Sequence, residues 1–456
     1  VLGGGTSINA QVYMRGRETD YNEWQDILRG NNDSIGWSWE DLFPYFRDME
    51  NNSRFNNFYH SQKGPLQVSD STHVNPLAKD FIESVHLLGV PKTDDFNGKS
   101  QIGVGYYQHM NKKGKRSSAA YAYIEPEKNN PNLKLQLLSK VEKIIIEKDK
   151  AIGIEYKNKS GKTLRLFAEK EIILSAGSLI TPKLLMLSGI GNEKDLKKHN
   201  IECKINLPGV GENLIDHPEV PIIAKANGSY GYYKQGEGWR MLKNGLQFLL
   251  FGTGPVNSTG VEAGAFVNPF NLKALPQIQV FFLSNMYMNS DTIGKINEDY
   301  GMSLTTVVTK PKSRGNVKLN SNNPDDPPLI NLNLLKHKDD MAMMIAGQRF
   351  FIDAFRKGPL GKKVKEIILP NPSKLDDLAL EKHCKKYVRT DYHPSGTAKM
   401  GADNDKLAVL DSKMRVRGIN NLRVCDLSAV PNINSGNTSA PAMMLGLRCG
   451  DLILDY

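Results

Sequence analysis

The chain is poor in cysteine, with four at positions 203, 384, 425 and 449 and no C-x-x-C pair among them. That spacing disfavours zinc ribbons and thioredoxin chemistry, and the even count permits two disulfides without demanding them in a chain of this length. G-x-S-x-G, H-E-x-x-H and the P-loop are all missing, and with them the usual marks of serine hydrolases, zincins and P-loop NTPases. No metal site is expected. A complete G-x-G-x-x-G is missing too: Gly103-Val104-Gly105 is followed by Gln108 where the third glycine belongs, outside any clear strand–turn–helix, so it is rejected as a dinucleotide site. No run approaches the ~18 apolar residues a membrane span requires. The net charge of +10 comes largely from scattered lysine pairs such as Lys112-Lys113 and Lys362-Lys363. Without an aromatic-rich basic stripe these read as solvated faces, and no nucleic-acid partner is expected.

What is present fits a globular chain of 456 residues, 39% hydrophobic and 24% charged, with enough core for two or three domains. It begins at Val1, inside a glycine-rich segment, so no leader can be read. Sequons stand at Asn32, Asn51, Asn158, Asn227, Asn257 and Asn437. Leu77, Phe81, Val85 and Leu88 share one face of a helix expected over 76–90. Strands are expected over 133–138, 141–147, 151–156 and 163–168. The apolar run 171–177 reads as a strand buried on both faces, as in a parallel sheet. A helix over 182–188 with Gly189 as its cap completes a strand–turn–helix of nucleotide-binding type. Residues 213–390 mix strand-like pieces (277–283, 304–309, 316–319) with a helix at 339–355, as an α+β unit on an antiparallel sheet would. The chain returns to α/β with a strand at 421–425 ending at Asp426, then a last helix capped by Thr438 or Ser439.

Two stretches carry chemistry. Asp391-Tyr392-His393-Pro394-Ser395-Gly396 places an imidazole in a turn, and Ser435-Gly436-Asn437-Thr438-Ser439 places a carboxamide at a helix mouth. A helix mouth favours negative charge, so a base facing it suits proton abstraction coupled to charge transfer. The plain alternatives are a turn histidine and a helix cap. His217, before Pro218, reads as structural or as part of a lid.

Leu2-Gly3-Gly4-Gly5-Thr6-Ser7-Ile8-Asn9 resembles the first signature of the glucose–methanol–choline (GMC) oxidoreductases, and Gly177-Ser178-Leu179-Ile180-Thr181-Pro182 through Gly191 resembles their second. Gly36-Trp37-Ser38-Trp39, Gly209-Val210-Gly211-Glu212-Asn213-Leu214 and Asp216-His217 look like the same family. Phe251-Gly252-Thr253-Gly254-Pro255 looks closest to its animal glucose-dehydrogenase-like branch. The resemblance implies a Rossmann-like α/β FAD-binding domain from residues 1–30, 116–212 and 391–456, and an α+β substrate domain with an antiparallel sheet from 31–115 and 213–390.

It also implies FAD-dependent oxidation of a small alcohol or sugar CH–OH group, with O2 or a quinone-like compound as acceptor, and a secreted protein. By motif match, His393 is the catalytic base and Asn437 the second active-site residue. Gly4, Asn9, Ala10, Val12, Val141, Asp426, Asn437 and Thr438 match cofactor-binding positions. Ala10-Gln11 departs from the family's Gly-Met, and no histidine in this loop suggests a histidyl-linked flavin. The family's N-terminal G-x-G-x-x-G unit is expected to precede Val1 and to be missing here. On that expectation an inactive truncated homologue is one alternative, and a lyase of the same fold that cleaves cyanohydrins is another.

Overall fold

A computed structural model of the chain describes residues 1–30, 35–287 and 299–454; the Asn32 sequon lies outside them. Apolar side chains sort into two large clusters and a small one. The first gathers Trp24, Trp37, Phe46, Ile144, Leu185, Val424 and Met444 from segments far apart in sequence. Helix Trp39–Met49 enters it behind a reciprocal cap, in which Ser38 accepts from the Asp41 backbone and Asp41 from the Ser38 backbone. The last helix, Ser439–Leu454, joins the same cluster, and its Asp451 accepts from Tyr45 of the Trp39–Met49 helix at 2.6 Å. An antiparallel meander of Lys140–Glu147, Lys150–Lys157 and Thr163–Phe167 and a parallel pair of Ile172–Leu174 with Leu422–Val424 complete this part.

The second part is built on an antiparallel sheet. Among the described residues the strand order is Val364–Leu369, Pro218–Ala226, Gly301–Val308, Ile278–Leu283, Ala263–Val267, Gly103–Tyr106, and Arg389–Thr390 also pairs with Pro218–Ala226. The two-residue period of a strand gives this sheet two apolar faces. Val220, Ile222, Val280, Phe282 and Leu304 meet Leu77, Phe81 and Val85 of helix Pro76–His86 and Met344 and Phe351 of the long helix Lys338–Ile352 and the residues around it. Phe81 stacks on Phe282 with centroids 4.9 Å apart. The intervening residues, Phe266, Phe281 and Val307, form the third cluster with Val12, Met14, Phe96 and Tyr107.

Most expected elements form within a residue or two of their expected ends. Two expectations are corrected. Residues 133–138 make no strand, and Leu137 and Leu138 stand 62% and 70% exposed; a strand needs a ladder partner, and none of the described strands pairs there. Strand Ile172–Leu174 is not buried on both faces: Ile173 is 43% exposed, and among the described residues the strand pairs only with Leu422–Val424. Gly103 and Gly105 lie in an edge strand of the sheet, where a Cβ on Gly105 would meet the Thr93 carbonyl at 2.0 Å. They serve close packing, as their rejection as a nucleotide loop requires.

Truncating the stacked pair tests this division. Phe282→Ala is expected to cost about 3–5 kcal/mol in chemical denaturation, whereas Leu137→Ala, at an exposed site, is expected to stay within about 0.5 kcal/mol.

Candidate active site

Two segments far apart in sequence meet where the sheet ends. Ile215 and Ser395 exchange backbone hydrogen bonds at 3.0 and 2.8 Å, and the Asp391 N–H donates to the His217 carbonyl at 3.1 Å. Tyr392 takes a left-handed φ of 62° and turns the chain so that the His393 N–H donates to Asp216 Oδ1 at 3.0 Å. The other Asp216 oxygen accepts the Thr390 hydroxyl. Burial pushes the Asp216 carboxyl up to about 6, against the Thr390 bond and the His393 charge that favour ionisation.

The side chains then form a chain of bonds. His217 Nε2–H donates to the Asn434 carbonyl at 3.0 Å, which leaves its Nδ1 lone pair facing His393 Nδ1 at 3.1 Å. His393 Nδ1 therefore carries the hydrogen, and its Nε2 is the basic nitrogen. Burial, then the neighbouring His393, lowers the His217 pKa well below 6.5 and keeps that ring neutral. For His393 burial acts downward, but Asp391, followed by Asp216 and Glu219, outweighs it and raises the pKa above 6.5. Asp391 Oδ2 lies 3.2 Å from His393 Nδ1, close enough for its charge to bear directly on the ring.

Asn437 reaches the opposite edge of the ring. Its Nδ2 lies 3.3 Å from His393 Nε2, so the sequence-predicted pair does come together. Gln279 of the sheet donates to Asn437 Oδ1 at 3.2 Å and to the Tyr107 hydroxyl at 3.3 Å, which orients the carboxamide. The loop before Asn437 is held by Asp20, which accepts from Ser435 N at 2.7 Å and Ser435 Oγ at 2.8 Å. Asp216, Asp391 and Gln279 were not assigned roles from sequence, and His217 was read only as structural or as part of a lid. Asp216-His217 was visible as a family motif, whereas nothing local marks Gln279.

The remaining predicted residues border the last helix and the Gly177 turn. Asn9 donates to Ser439 Oγ at 2.8 Å and accepts from Arg116 at 2.7 Å, which ties the first loop to the helix mouth formed by Thr438 and Ser439. Ala10 is exposed, and Val12 is buried in the third cluster. Asp426 clamps the strand–turn–helix: its Oδ2 accepts from Gly177 N at 2.9 Å and Thr181 Oγ1 at 2.6 Å, and its Oδ1 from Ser428 N at 2.8 Å. Val141 is half-buried in the meander, paired with Tyr156, and makes no bond to the histidine cluster.

These surroundings fit a polar group such as FAD. Gly4 (φ 54°) and Gly177 (φ 85°) have no atom within 4 Å of where a Cβ would sit. The buried Ser178 Oγ and Gln11 Oε1 have no partner in the protein. Open space beside glycines and unpaired buried polar atoms are what a bound phosphate-and-ring cofactor would fill and satisfy.

The GMC oxidoreductase profiles match residues 1–219 and 311–446. An oxygen-dependent choline dehydrogenase from Brucella anthropi is 36% identical, covering 100% of this chain and 81% of its own. An alcohol dehydrogenase [acceptor] from Pseudomonas putida is 36% identical over 99% of this chain and 81% of its own. The structure of a formate oxidase from Aspergillus oryzae superposes with a TM-score of 0.89 at 25% identity, over 100% of this chain and 84% of its own. The choline and alcohol dehydrogenase names give the glucose-dehydrogenase-like placement no support, and the match over 1–219 gives none to a missing N-terminal unit.

The Asp391 charge has a direct test. Asp391→Asn is expected to lower the His393 pKa, read by NMR titration of the imidazole, because burial then acts with less opposition. An unchanged or higher pKa would show that Asp391 does not set it.

Proposed function

The chain belongs to the GMC oxidoreductase family, and from that premise we propose that it oxidises an uncharged alcohol, with His393 Nε2 taking the hydroxyl proton. It is an FAD-dependent oxidoreductase that acts on an alcohol, with an FAD-binding domain and a substrate domain on an antiparallel sheet. The observation that carries the finer reading is the His217–His393–Asn437 bond chain.

An alkoxide is costly near neutral pH, so a base must accept the proton as the C–H bond breaks. His217 fixes the tautomer that leaves His393 Nε2 free to do this. The Asp391 charge stabilises the imidazolium that results. Asn437 holds the substrate oxygen through its amide hydrogens without adding charge. Bound FAD supplies the hydride acceptor. The loop of Gly4, Asn9, Ala10 and Val12 and the mouth of the last helix at Asn437 and Thr438 would hold it, with Asp426 shaping the Gly177 turn and Val141 farther along.

The substrate class follows from charge. A choline-like cation needs a free carboxylate or an aromatic cage. Glu219 is already paired by Arg389 at 2.9 and 3.1 Å, and that guanidinium lies 4.4 Å over the Tyr287 ring. Asp216 and Asp391 serve His393 and Thr390. The neighbouring sheet face offers Phe266, Phe281, Leu283 and Val307. Carboxylates already compensated in this way favour a neutral alcohol over a cation.

Anaerobic addition of a neutral primary alcohol to the FAD-loaded enzyme is expected to bleach the flavin, with choline much less effective. Cleavage of a cyanohydrin without bleaching would favour the lyase instead. His393→Ala is expected to cut the bleaching rate by about 10²–10⁴ while flavin stays bound; an unchanged rate would reject His393 as the base.

A further inference from the structure

We propose that helix Gly238–Phe251 docks the enzyme on an anionic lipid surface, lying in the headgroup layer with its apolar stripe toward the acyl chains. The proposal is independent of the substrate reading. The helix is turned inside out for a water-facing element: Trp239, Leu242, Leu246, Leu249 and Leu250 are 68, 71, 58, 80 and 64% exposed. Their spacing of three, four, three and one residues places them on one outward stripe. The helix buries only Asn244, whose amide donates to the Gln235 carbonyl at 2.9 Å, so its apolar residues face away from the body of the protein. An exposed apolar stripe of this size marks a contact surface.

Charge identifies the partner. The helix carries Arg240 and Lys243 and no acid. At its end, the Gly252 carbonyl accepts from Asn257 Nδ2 at 2.6 Å. Asn257 in turn abuts Gly114, where an added Cβ would meet Asn257 Oδ1 at 2.1 Å. Gly114 is the tip of the hairpin formed by Asn111–Lys112 and Lys115–Arg116, which exposes Lys112, Lys113 and Lys115. A basic hairpin therefore flanks an apolar stripe edged by its own cations. That combination of tryptophan, leucine and lysine is the pattern of an interfacial helix. A second copy meeting this face about a twofold axis would set the same lysines against each other. At 14 residues the helix is too short to span, and among the described residues no helix is long and apolar enough to cross a membrane.

The test is co-sedimentation of the FAD-loaded protein with phosphatidylcholine vesicles, with and without phosphatidylglycerol. Binding is expected to the phosphatidylglycerol vesicles and to weaken with added salt. The double substitution Leu242→Glu and Leu249→Glu is expected to reduce binding about tenfold or more, with alcohol oxidation in solution unchanged as the check on folding. Lys112→Glu with Lys113→Glu keeps the apolar stripe and is expected to weaken binding only to the phosphatidylglycerol vesicles. Failure to sediment with either vesicle, or equal binding by the leucine variant, overturns the proposal. So does a dimer in sedimentation velocity that the leucine variant abolishes without any vesicle binding.

Discussion

The site depends on one clasp between two strands' ends. Asp216 and His217 on one segment face Asp391 and His393 on the other, and backbone bonds between Ile215 and Ser395 hold them in register. The clasp couples shape to proton affinity. His217 decides which nitrogen of His393 is basic, and Asp391 decides how strongly it holds a proton. Buried imidazoles ordinarily lose their protons; the arrangement of carboxylates around His393 reverses that for one ring and leaves its neighbour neutral.

The antiparallel sheet serves as both core and active-site wall. One face is filled by helices and supplies stability through large apolar side chains. The other carries Gln279, which orients Asn437, and Glu219, which is neutralised by Arg389. Gln279 and Glu219 stand on strands and inherit the sheet's rigidity, whereas His217, Asp391 and His393 sit just beyond strand ends and are held by the bonds between their segments. The loop bearing Asn437 has its own anchor in Asp20 at the start of helix Glu18–Leu28.

Elements with strong periodicity were legible in the sequence. The meander, the amphipathic helix at Pro76, the strand at 278–283 and the final helix all follow from local pattern and cap chemistry. Residues 133–138 misled because apolar alternation states that a segment could pair, not that a partner exists. His393 and Asn437 were legible by their match to family motif positions, since a turn histidine or a helix cap alone would not have marked them. Gln279 was not, because its role arises from register: Gln279 lies opposite Val307 and Phe266, a relation that only the folded sheet creates. His217 was visible and read as structural or as part of a lid, but its bond to His393 was not legible, because the two rings are brought together only by the fold.

The two-residue alternation at 278–283 has an evolutionary consequence. Phe281 and Leu283 join the third cluster, on the face that carries Gln279, while Val280 and Phe282 join the cluster packed under the helices. Neighbours in the gene are thus exposed to unrelated selective pressures. A lineage could vary the face that carries Gln279 by drifting at alternate codons while the helix-packed face stayed frozen, a ready route to diversification from a shared scaffold.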